Sequence, residues 1–147
     1  LELRWGELAG EVQDRTRELV MDLLGVALGG TRQASSAPAA RAAVHLGGAG
    51  AAEGQASVFG TQHSTSAVWA ALANGTAAHA LELDDVTTES SLHPGVAVIP
   101  GAFALAEALG ASPAAFLEAV VAGYEVTMRV GNALNPASAY ARGFHPT

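Results

Sequence analysis

Residues Gly75 to Pro100 read GTAAHALELDDVTTESSLHPGVAVIP. Two apolar, alanine- and valine-rich segments flank a polar connection, which is the pattern of helix, loop, helix. Within a dozen positions the stretch places Glu82, Asp84, Asp85, Thr87 and His93. Acids and a histidine are costly to bury against an apolar core unless they are paired or used. A second histidine in the same local setting, His145-Pro146, stands near the end of the chain. These two His-Pro corners and the acidic loop are therefore expected to form part of an active site.

The remainder of the 147 residues is compatible with one domain having its own core. Half of the residues are hydrophobic but only 5% are aromatic, while 33 are alanine and 17 glycine. Small side chains let helices approach closely, and alanine is the strongest helix former. An all-α domain, a multi-helix bundle with at most one short extended segment, is the expected fold.

A net charge of −7, with all seven basic residues arginine, argues against the clustered basic footprint of nucleic-acid binding. The absence of lysine rules out amine chemistry from these residues, and the absence of cysteine rules out disulfides and thiolate metal sites. No signal peptide or membrane span is legible, so a soluble, cytoplasmic protein is expected. The opening Leu1-Glu2-Leu3-Arg4 lacks an initiator methionine.

Along the chain, Leu19, Leu23 and Val26 recur at helical spacing in a first helix over Glu11 to Leu28, where Gly25, Gly29 and Gly30 end it or let a neighbour come close. Pro38 suits the start of a second, reaching Leu46. Ala56 to Gly60 reads as a short strand or extended edge. Ser64 or Thr65 is expected to cap a helix through Ala73, with Val68, Trp69 and Leu72 inward. Asn74-Gly75 should break that helix, and Thr76 should cap another to Leu83, placing His79 and Glu82 on one face. Pro94 then suits the start of a helix to Leu109, which Pro100 must bend unless it marks the true start. Ser112-Pro113 starts the most regular helix, whose Phe116, Leu117, Val120, Val121, Tyr124 and Met128 repeat at three and four. Asn135-Pro136 ends it, leaving an irregular tail.

The residue before a proline is pushed out of the helical region, and proline is preset for the first helical turn. His93 is thus expected at a helix N-cap, where free N–H groups favour a carboxylate ligand and a neutral imidazole. Asp84 or Asp85 could orient such a histidine, although Asp-Asp is also an ordinary solvated turn. His79, Glu82, an aspartate and His93 also compose a nitrogen and oxygen donor set for a metal. Neither a nucleophile elbow nor a nucleotide fingerprint is present.

The run Asn74 to Asp85 (NGTAAHALELDD) resembles the MmgE/PrpD family. So do His93-Pro94-Gly95 with Val98-Ile99-Pro100, Gly123-Tyr124-Glu125 with Arg129, and Tyr140 to Thr147 (YARGFHPT). The resemblance covers nearly the whole chain. It implies an enzyme such as 2-methylcitrate dehydratase, cis-aconitate decarboxylase or iminodisuccinate epimerase, which moves a proton beside a carboxylate of a small polycarboxylic acid. It further implies no metal or organic cofactor, a homodimer, and a large helical domain with an α/β lid.

Carried across residue by residue, His93 and His145 match the family's active-site histidines. Glu82 with Asp84 and Asp85 matches its acidic motif, and Thr87 or Thr88 matches a loop threonine. On this reading residues 1–147 are the N-terminal part of the helical domain. The family's active-site lysine and its lid would lie beyond Thr147. The alternative is a non-catalytic helical binding or assembly module that retains the fold.

Overall fold

A computed structural model describes residues 3–48, 54–134 and 136–144. Among them the elements run α1 (Gly10–Gly30), α2 (Ser36–Gly47), β1 (Gln55–Ser57), β2 (Ser64–Ser66), α3 (Ala67–His79), α4 (Pro94–Leu109), α5 (Pro113–Ala133) and α6 (Pro136–Ala141). A single 3-10 turn at Trp5–Glu7 precedes α1. The two strands form an antiparallel hairpin in which Ala56 faces Thr65. The fold is all-α apart from this hairpin, as the composition predicts. No helix among the described residues is long and apolar enough to cross a membrane.

Helix α3 is the centre of the packing, with α1, α2 and α4 all laid against it. Its inward face is made of Ala70, Ala73, Asn74, Ala77 and Ala78, at the three-and-four spacing of a single helical stripe. Alanines on that face let three neighbours approach closely. The larger Val68 and Leu72 point away, at 78% and 52% exposure, contrary to the sequence expectation. Side-chain volume concentrates instead where α1, α4 and α5 meet. There Leu23, Ile99 and Val120 are buried together with Val20. Burying each such side chain is worth about 1.5–3 kcal/mol. Phe103 fills the adjoining space, edge-on to both Phe59 and Phe116.

Asn74-Gly75 does not break α3, which runs unbroken from Ala67 to His79. The reason is tertiary. The Asn74 amide is buried, its Nδ2 donating to the Ser57 carbonyl and its Oδ1 accepting from the Phe59 N–H, both at 2.9 Å. A residue that favours turns in isolation here fastens the hairpin to the helix. Gly75 meets α4 beside Val96 and Pro100. Pro100 removes the helical donor to Val96 without ending α4.

Three further boundaries differ from those read in the sequence. Ser64 and Thr65 belong to β2, with Thr65 Oγ1 donating to the Ala43 carbonyl rather than capping α3. Gly29 and Gly30 lie inside α1 and do not end it at Leu28; of the two readings of these glycines close contact holds at Gly30, where a Cβ would collide with the Ala77 backbone. The tail contains α6. By contrast, Ser112 caps α5 as expected, its Oγ accepting from Ala115 N–H at 3.2 Å. The predicted α5 stripe faces inward around the buried Val120.

Candidate active site

The loop Ala80–Leu92 joins the C-terminal end of α3 to the N-terminal end of α4, and both ends contribute a histidine. His79 is the last residue of α3 and His93 the N-cap of α4, with Pro94 at the first helical position. The loop returns on itself through a bridge between Thr87 and Leu92. Ser90, buried within it, shares a hydrogen bond with the Thr87 hydroxyl. Local sequence therefore brings two imidazoles that are fourteen positions apart to a common point.

Asp84 occupies that point. Its carboxylate is fully buried, 3.0 Å from His79 Nδ1 through Oδ1 and 3.1 Å from His93 Nδ1 through Oδ2. An ionised carboxylate only accepts hydrogen bonds, so each Nδ1 carries a proton towards it. In the neutral imidazoles the Nε2 lone pairs are then free. Neither Nε2 has a hydrogen-bond partner among the described residues. The imidazole side chains keep 30% and 19% exposure, so these lone pairs lie at the edge of the core and not inside it. The rings meet edge to face with centroids 4.9 Å apart.

Asp85 turns the other way. Its Oδ1 accepts from the Gly95 N–H and its Oδ2 from the Tyr124 hydroxyl, each at 3.0 Å. The first satisfies one of the free N–H groups of α4, and the second fastens α5 to the same loop. Burial pushes the Asp85 carboxyl above its ordinary value, opposed by the two hydrogen bonds and assisted by the Asp84 charge. Burial and the neighbouring Asp85 likewise raise the Tyr124 phenol. A Cβ on Gly95 would fall on the Asp85 and Tyr124 oxygens, so only glycine leaves room for this clamp.

The acidic pair thus divides between a carboxylate that faces both histidines and one that braces helix ends. Glu82 is exposed, with a left-handed φ of 49°, and does not share a helical face with His79 as expected. Thr87 is partly buried in the loop bridge and Thr88 is exposed. His145 lies outside the described residues. His79 was read in the sequence only as a metal-donor candidate; its helical spacing to the end of α3, five positions before Asp84, was the available signal for its place here.

His79, Asp84 and His93 also satisfy the proximity needed for a metal, their donor atoms lying within 4.8 Å of one another. Those same two Nδ1 atoms, however, are at hydrogen-bond distance from the carboxylate. Coordination through them would require both protons to leave.

Comparison with known proteins gives a consistent picture. The MmgE/PrpD N-terminal domain matches residues 1–147. A cis-aconitate decarboxylase-like protein, oryM, of Aspergillus oryzae is 32% identical over 98% of this chain and 30% of its own length. Human cis-aconitate decarboxylase is 30% identical over 98% of the chain and 30% of its length. That of Aspergillus terreus is 28% identical over 95% and 29%. The chain thus spans about 30% of the length of these relatives. No solved structure matches.

Proposed function

The chain belongs to the MmgE/PrpD family, and on that premise we propose that it carries part of the active site of a cofactor-independent lyase acting on a small polycarboxylate. Similarity to cis-aconitate decarboxylases supports lyase chemistry at the level of the family. The observation that carries the reading here is the buried Asp84 carboxylate holding both His79 and His93 by Nδ1.

In this reading His93 Nε2 exchanges the proton on a carbon beside a substrate carboxylate. The imidazolium formed when it accepts that proton is stabilised by Asp84, and the same proton is available to quench a carbanion. Asp84 keeps the productive tautomer, the role a carboxylate plays behind a catalytic histidine elsewhere. His79 holds the second side of Asp84 and is a positioning residue. His145 would polarise or protonate the substrate. Glu82 and one of Thr87 and Thr88 would contact the substrate, and the N-terminal end of α4 would favour its carboxylate. The rest of the helical domain, an α/β lid and a second subunit would complete the site.

Asp85 enters this scheme as a support of loop and helix, a narrower role than its place in the acidic motif implied. A metal reading rests on the His79, Asp84, His93 cluster and predicts stoichiometric metal in protein purified without chelator. The lyase reading is tested by incubating the protein at its full natural length with cis-aconitate, 2-methylcitrate and iminodisuccinate in deuterated water. Turnover of one of them is expected, with deuterium entering beside a carboxylate in decarboxylation or epimerisation and the proton beside a carboxylate released to solvent in dehydration. Absence of turnover with all three would overturn it.

A further inference from the structure

A wide cleft among the described residues is distinct from the His79–Asp84–His93 cluster, none of which lines it. It measures about 1220 Å³ and lies between the α1–α2 turn, α2, the hairpin loop and the alanine face of α3. Arg32 enters it from the turn, Arg41 and His45 from one face of α2, and His63 from the hairpin loop. Positions 41 and 45 are one helical turn apart and so project together. No aspartate or glutamate is among the described residues that line it.

This is an unusual concentration for a chain of net charge −7 with seven arginines. Arg15, Arg17 and Arg129 are each matched by an acid one turn away, Glu18, Asp14 and Glu125. Arg32 and Arg41 have no carboxylate partner among the described residues. Two guanidiniums and two imidazoles therefore face one cavity whose floor is apolar, from Val58, Phe59 and Ala73. Low-dielectric walls beneath like charges focus their field into the cavity. Guanidinium forks bind carboxylate and phosphate oxygens in pairs.

We propose that this cleft is a binding site for a small polyanion, a molecule carrying two or more carboxylate or phosphate groups, separate from the proposed catalytic histidines. Arg32 from the α1–α2 turn and Arg41 from α2 grip the anionic groups, and His45 and His63 line the same cleft. The site does not depend on the lyase reading.

Calorimetric titration of the protein at its full natural length with pyrophosphate and with tricarballylate tests this. At least one probe is expected to bind, and the tighter one identifies phosphate or carboxylate as the ligand chemistry. Arg32→Gln and Arg41→Gln should each weaken that binding by about tenfold or more, the loss of a charge-assisted pair. Arg41→Lys should weaken it less. Both arginines are exposed, so these variants should keep the wild-type unfolding midpoint; the lysine variant remains informative if the glutamine ones do not. Binding of neither probe at millimolar concentration, or binding unaltered by the double Arg32→Gln, Arg41→Gln change, would overturn the proposal. So would protection of both arginines from phenylglyoxal without added anion, because another part of the protein would then fill the cleft.

Discussion

His79 and His93 meet edge to face, ring centroids 4.9 Å apart, with each Nδ1 directed at one oxygen of the same buried carboxylate. Two imidazoles sharing one acceptor are locked into the same tautomer, and both leave Nε2 as the basic nitrogen. The arrangement joins the end of α3 to the start of α4 and makes the intervening loop a structural as well as a chemical element.

Replacing Asp84 by asparagine retains volume but offers one acceptor and one donor where two acceptors are needed. One histidine must then change tautomer, or two N–H groups confront each other. For the full-length protein, kcat is expected to fall by about 10²–10⁴. Asp84→Ala should also lower stability by about 1–3 kcal/mol for each N–H left without its acceptor. Steady-state rates and denaturant unfolding of the two variants measure these effects; wild-type rates in Asp84→Asn would remove Asp84 from the mechanism.

Asp85 makes a pH-dependent contribution whose sign follows from its raised carboxyl. The folded state binds this proton more tightly than the unfolded state does, so stability from the protonated form is present below the ordinary value of 3.8 and is lost as pH rises through the raised folded value. Wild type should therefore lose stability relative to Asp85→Asn as pH climbs through that window. Unfolding curves for both proteins from about pH 3.5 upward give the comparison; a difference that does not vary with pH, or varies in the opposite sense, contradicts the burial argument.

Gly131 on α5 lies beneath the loop that carries His93. A Cβ there would come within 2.9 Å of Leu92 Cγ and of Ser90 Cβ. Gly131→Ala is expected to cost about 1–3 kcal/mol through overpacking, and to reduce turnover because Leu92 cannot move without moving its neighbour His93. Thermal unfolding and kcat should change together. A variant with lowered stability but unaltered kcat would mean that the loop yields without disturbing the histidine.

Much of this organisation was legible in the chain itself. His93 before Pro94 had to sit at a helix start, and Ser112-Pro113 announced α5. The small-residue composition pointed to close helix packing. Local rules failed where distant partners intervened. Asn74-Gly75 reads as a break, yet the Asn74 amide bonds Ser57 and Phe59 from fifteen or more positions away and keeps α3 intact. Asp84 and Asp85 are alike as neighbours in sequence. Only the positions of His79 on one side and Tyr124, thirty-nine residues on, distinguish their roles. Glu82 was expected on a helical face, but the helix ends at His79 and the backbone turns left-handed before a face can form.

The central claim is that His93, held by Asp84, moves the substrate proton. Turnover of cis-aconitate, or whichever polycarboxylate the wild type accepts, by His93→Gln at full natural length tests it most directly. Glutamine fills the site without a titratable nitrogen, so the account predicts a fall in kcat of about a hundredfold or more with the fold unchanged. A rate within a few-fold of wild type would contradict it and assign the proton transfer to another group.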